Sequence, residues 1–204
     1  MMYVRSRWVI LIFALVITGL TIVSFITAPR ANELLEAQGN QYYNLLSDQS
    51  RLFNVDQEVN IPTWFVGFVA IYGSWLFATI GSAEAGKRGG LAWYWRGLSL
   101  IFLYISLDEV AGLHELLIDP IRARFILSPW FYQAWIVVGL SLVALVGVLY
   151  TYFLWKIPFR ICFYFILSGV IYVGGAIGVE AIGGYGLSVQ GLSNWYIELA
   201  HLEE

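Results

Sequence analysis

Apolar residues in this chain come in long continuous runs separated by short polar intervals. A helix needs about 20 apolar residues to cross a hydrocarbon core of roughly 30 Å, at about 1.5 Å per residue. Five runs qualify: Trp8 to Ile26, closed by Pro29; Ile61 to about Ile80; about Gly97 to Ile118; Trp130 to Trp155; and Ile161 to Ile182. A sixth begins at Trp195, and the sequence stops at Glu204. None of the runs alternates, which argues against strands. The expected fold is all-α: a polytopic transmembrane helical bundle of five full spans plus the start of a sixth. Residues 1–204 form a single transmembrane domain, and the last span is expected to be truncated.

The first run is too long for the apolar core of a cleaved signal peptide and lacks a small-x-small site after it, so it is read as a retained anchor. Residues 27–60 form an outer segment. Within it Leu34, Leu35, Gln38, Tyr42, Leu45 and Leu46 recur at helical spacing. That spacing predicts a short amphipathic helix, either lying on the outer surface or covering the end of the bundle. Pro62 suits the first turn of the second span, where its missing N–H costs nothing. Lysine and arginine set the orientation. Arg5 and Arg7, then Lys87, Arg88 and Arg96, then Lys156 and Arg160 all fall on one side if the spans alternate. That side is expected to be cytoplasmic, with the N-terminus, in a bacterial inner membrane. Arg122 and Arg124 depart mildly from the rule.

Composition agrees and excludes other classes. Of 204 residues, 59% are hydrophobic and 12% charged. An ordinary soluble domain is about 25% charged, and disorder needs low hydrophobicity with high net charge. The net charge of −3 gives no footprint for nucleic acid. The expected surroundings are the lipid bilayer, with a membrane-complex partner or a second copy of the chain left open. Cys162 alone cannot form an internal disulfide or a cysteine metal cage. His114 and His201 are the only histidines.

Ionisable groups inside a span cost about 2.5–3.5 kcal/mol each on insertion scales, so they are candidate functional residues. The third run contains Asp108, Glu109, His114 and Glu115; the fifth ends at Glu180; the sixth opens with Glu198 and His201. With alternating spans all seven fall in the outer half of the membrane, and Glu58 sits just outside the second span. On one straight helix Asp108 and Glu115 would lie within about 20° of each other, with Gly112 on that face. Glu109 and His114 would then point to either side. Glu198 and His201 have the Glu-x-x-His spacing of helices that ligate di-iron centres, although such centres need two such pairs.

Three readings follow. The seven residues hold a divalent metal, zinc or iron, for hydrolytic or redox chemistry. Alternatively they carry protons or cations, in a small transporter or a non-enzymatic accessory subunit. Or the acids only cap helices and pair with Arg122 and Arg124. Whether the chain is an enzyme stays open. Asp119 and Glu84 are assigned to structural roles. Gly174 and Gly178 have the spacing that lets helices pack closely, within the bundle rather than between copies. The segments Asn60-Ile61-Pro62-Thr63-Trp64 and Ser106-Leu107-Asp108-Glu109 with His114-Glu115, together with the terminal glutamates, resemble a widespread family of uncharacterised bacterial integral membrane proteins. The resemblance implies a small inner-membrane protein and supplies no activity. Membrane ceramidases need three histidines, and this chain has two.

Overall fold

The computed structural model describes residues 6–27, 52–55, 60–87 and 90–190. The expected amphipathic helix, Glu58, Glu198, His201 and the start of a sixth span lie outside these residues. The described residues are helical, with no strand among them. The elements are α1 (Ser6–Thr27), α2 (Ile61–Glu84), α3 (Ala92–Ala111), the short α4 (Ile118–Arg122), α5 (Ile136–Lys156), α6 (Phe159–Val173) and α7 (Glu180–Gln190). Two 3-10 turns, Glu115–Leu117 and Pro129–Phe131, flank α4, and a π-helical stretch, Gly174–Val179, joins α6 to α7.

Four helices among the described residues are long and apolar enough to cross a membrane: Trp8–Thr27, Ile61–Glu84, Ile136–Lys156 and the continuous Phe159–Val189. Their apolar side chains face outward, as at Leu15, Ile26 and Val148, each more than 70% exposed. Outward apolar surface on this scale fits lipid rather than water. The helix α3 has 20 residues but differs from the four in carrying Arg96, Asp108 and Glu109. The third run was expected to continue to Ile118; instead the helix stops at Ala111, because Gly112 takes the left-handed conformation at φ 58°, ψ 37°. Its amide donates to the Asp108 carbonyl at 2.8 Å, closing the helix end.

The tightest pairing is α2 against α3, antiparallel and glycine-mediated. A Cβ on Gly67 would lie 2.8 Å from Val110 Cγ2, one on Gly73 2.9 Å from Phe102 Cδ1, and one on Gly81 3.0 Å from Arg96 Cγ. Serine hydroxyls use the same closeness. Ser74 Oγ donates to the Ser99 carbonyl at 2.7 Å, and Ser106 Oγ to the Gly67 carbonyl at 2.7 Å. Small residues and interhelical hydroxyl bonds are how helices associate where lipid is as apolar as leucine. The start of α2 is fixed by Asn60, whose Oδ1 accepts from the Thr63 amide at 3.0 Å and the Thr63 hydroxyl at 2.9 Å. Pro62 sits in the first turn, as the sequence predicts.

At the end of the bundle where α2 finishes and α3 begins, Leu98, Phe153 and Ile157 form a buried cluster. Phe77, Tyr94, Trp95 and Phe165 pack around it, with Trp95 edge-on to Phe153 at 4.9 Å. Glu84 pairs with Lys87 there at 2.6 Å, which agrees with its structural assignment. Gly174 and Gly178 do not serve the expected packing inside the bundle. A Cβ on either would meet nothing within 4 Å, because the π-helical stretch turns them to open space.

Candidate functional site: an aspartate–histidine pair linked through a tryptophan to Glu180

The opposite end of the bundle is where the charged residues of α3 lie. The break at Gly112 reverses the chain, so His114 folds back onto the last turn of α3. The Asp108 carboxylate receives it twice. Oδ1 accepts from the His114 backbone amide at 2.9 Å, and Oδ2 lies 3.1 Å from His114 Nδ1. Both side chains are about a quarter exposed, 26% for His114 and 22% for Asp108. With Nδ1–H donating to the carboxylate, Nε2 is left as the basic nitrogen, an assignment made from the bonding partners. The Tyr104 hydroxyl, one turn earlier on α3, hydrogen-bonds the same carboxylate.

This is a different partnership from the one a straight helix would give. Asp108 and Glu115 do not share a face, because the helix between them ends. Glu115 opens the first 3-10 turn and is exposed, while Glu109 stays half-buried on α3.

The histidine ring meets Trp135 edge-on, with centroids 4.8 Å apart. Trp135 Nε1–H donates to Glu180 Oε1 at 3.0 Å. Two small features place these groups. Gly139, one turn along α5, leaves room for the indole: a Cβ there would be 2.7 Å from Trp135 Cζ3 and 3.3 Å from Ile177 Cδ1. Ile177 is buried on the π-helical stretch, and Glu180 three residues later falls on the same side. Asp108, His114, Trp135 and Glu180 therefore form one connected series across α3, α5 and α7. Composition and spacing pointed to the first, second and fourth. Trp135 was missed, because a tryptophan near a span end reads as an interface anchor.

The loop above the series is held by aromatic contacts. Trp130 stacks on Tyr185 of α7 with centroids 4.4 Å apart. Arg122 lies over the Tyr132 ring at 4.5 Å and donates to the Tyr132 carbonyl. It was expected, on the structural reading, to pair with the acids; this contact gives its charge an aromatic partner instead. Among the described residues no group of three or more histidine, cysteine, aspartate or glutamate side chains could hold a metal ion.

Residues 8–204 match the model of a family described as Domain of unknown function (DUF8692). The chain belongs to that family. No curated protein and no solved structure matches it. Membership of DUF8692 covers the whole site, including Glu198 and His201, and assigns it no chemistry.

Proposed function

We propose that this protein is a polytopic inner-membrane protein of bacteria whose Asp108–His114 pair exchanges protons at the outer mouth of the bundle, coupled to movement of a cation or small solute. The N-terminus lies in the cytoplasm on this reading, since the basic residues gather at the opposite end from the pair. The helix α3 is a further span, giving five, because it runs antiparallel along α2 in close contact. The terminal segment starts a sixth. The observation that carries the proposal is the double engagement of His114 by one carboxylate. A proton can arrive at Nε2 while Asp108 holds the ring and compensates its charge. Trp135 keeps Glu180 beside the ring as a second proton-accepting group.

The test is proton flux in proteoliposomes loaded with a pH-sensitive dye. A cation gradient should drive acidification or alkalinisation that is lost in His114→Gln and Asp108→Asn. Flux that survives both substitutions, or no flux across a panel of monovalent and divalent cations, would sink the proposal.

A second reading is favoured by one feature of the same pair. Metal-ligating histidines generally donate their other ring N–H to a carboxylate, as His114 does to Asp108. Zinc and iron both accept imidazole and carboxylate donors. Glu109, Glu115 and Glu180 supply carboxylates on the chain's described part, and Glu198 and His201 would have to complete the set. A bound divalent metal would supply water activation or redox chemistry. Stoichiometric zinc or iron in the purified protein, absent from His114→Ala and His201→Ala, would favour this reading over proton exchange.

A further inference from the structure

The end of the bundle remote from the Asp108–His114 pair carries a crevice that neither reading uses. It has a volume of about 550 Å³ and opens beside the turn between α5 and α6. Thr151, Leu154, Trp155, Ile157, Phe159 and Cys162 line it, so its walls are apolar apart from one hydroxyl and one thiol. Lys156 follows the lining residue Trp155, and Arg160 follows Phe159; both are exposed. Trp155 and Phe159 are themselves 86% and 83% exposed, the arrangement of rings at a membrane–water boundary. This end holds further basic residues, Lys87 and Arg96, against the single described acid Glu84, which Lys87 already neutralises.

We propose that the crevice is a binding site for an anionic phospholipid. The acyl chains lie along Leu154, Ile157 and Cys162 inside the crevice, and the phosphate sits at its rim between Lys156 and Arg160. Three features converge on this occupant. The walls are apolar and face lipid, which suits hydrocarbon. The rim lies at interfacial depth, marked by Trp155. The charge at the rim is positive, which selects an anionic headgroup over a zwitterionic one. Each basic side chain near an anionic lipid surface contributes roughly a five-fold preference, so the pair should give roughly twenty-five-fold. The site is independent of the proton or metal reading of the other end and stands if both fail.

Native mass spectrometry of the detergent-purified full chain tests it, with phosphatidylglycerol and phosphatidylcholine of matched acyl chains titrated separately. The expected result is one tightly held phosphatidylglycerol and at least ten-fold weaker retention of phosphatidylcholine. In the double variant Lys156→Gln, Arg160→Gln, which changes two exposed side chains, that preference should fall to about two-fold or less. Cys162→Trp should reduce retention of both lipids by filling the crevice. Equal retention of the two lipids by the unaltered protein would overturn the proposal. So would an undiminished preference in the double variant, or binding of glycerol phosphate as strong as that of the intact lipid.

Discussion

Removing the Asp108 carboxylate tests whether the loop after α3 is held as the structure has it. Asp108→Ala deletes two hydrogen bonds at once, to the backbone amide and to the ring of His114. His114→Phe deletes only the ring bond and keeps an aromatic face against Trp135. A hydrogen bond to a charged group contributes about 1.5–3 kcal/mol net, and the partial exposure of this pair argues for the low end. Asp108→Ala should therefore cost about 3 kcal/mol and His114→Phe about 1.5 kcal/mol. The double variant should also cost about 3 kcal/mol, since the ring bond is already lost with the carboxylate. The coupling energy is then about 1.5 kcal/mol. Unfolding in mixed micelles of a mild detergent and increasing dodecyl sulfate, followed by circular dichroism, would measure all four corners of the cycle. Additive costs, near 4.5 kcal/mol for the double variant, would refute the ring contact. Equal costs for the two single variants would refute the bond to the backbone amide.

Other outcomes follow from the same geometry. Gly67→Ala should destabilise the protein by about 1–3 kcal/mol through the clash with Val110, and Val110→Ala in the same chain should restore most of the loss. Asn60→Ala should cost about 1 kcal/mol and speed amide exchange in the first turn of α2. Trp135→Phe should cost about 1.5 kcal/mol in the natural chain but about half as much beside Glu180→Gln, because the lost bond then ends on a neutral acceptor. The same unfolding assay measures both, and equal costs in the two backgrounds would contradict the Trp135–Glu180 bond.

Much of the membrane architecture could be read in the sequence because continuous apolar runs leave few alternatives. Four of the expected spans coincide with helices long and apolar enough to cross, and Asn60 and Pro62 mark the start of α2 through capping chemistry that is local to a few residues. What could not be read is where a run of apolar residues stops being a helix. Gly112 is flanked by Ala111 and Leu113, so hydropathy passes through it unchanged, while its backbone turns left-handed and ends α3. The fifth run likewise hides a π-helical stretch among glycines that spacing alone presents as a packing motif. Spacing arguments assume one uninterrupted helix, and both errors arise where that assumption fails.

Those same interruptions build the site. An unbroken third helix would carry Asp108 and Glu115 on one side and point His114 elsewhere, about 120° around the axis. Two acids would face each other, which favours neither being ionised. Ending the helix at Gly112 replaces that repulsive pair with an acid–base pair and sends Glu115 to the surface. The π-helical stretch acts similarly from the other side. Its extra residue rotates everything after it by about 100°, so the buried Ile177 and the following Glu180 meet α5 at Gly139 and Trp135. Each irregularity forgoes regular helical hydrogen bonds, and in the membrane unsatisfied backbone groups are costly. The Gly112 amide is recovered by the Asp108 carbonyl and the His114 amide by the Asp108 side chain. Asp108 thus stabilises the break that brings His114 to it, so the site and the local fold depend on one carboxylate and should be lost together.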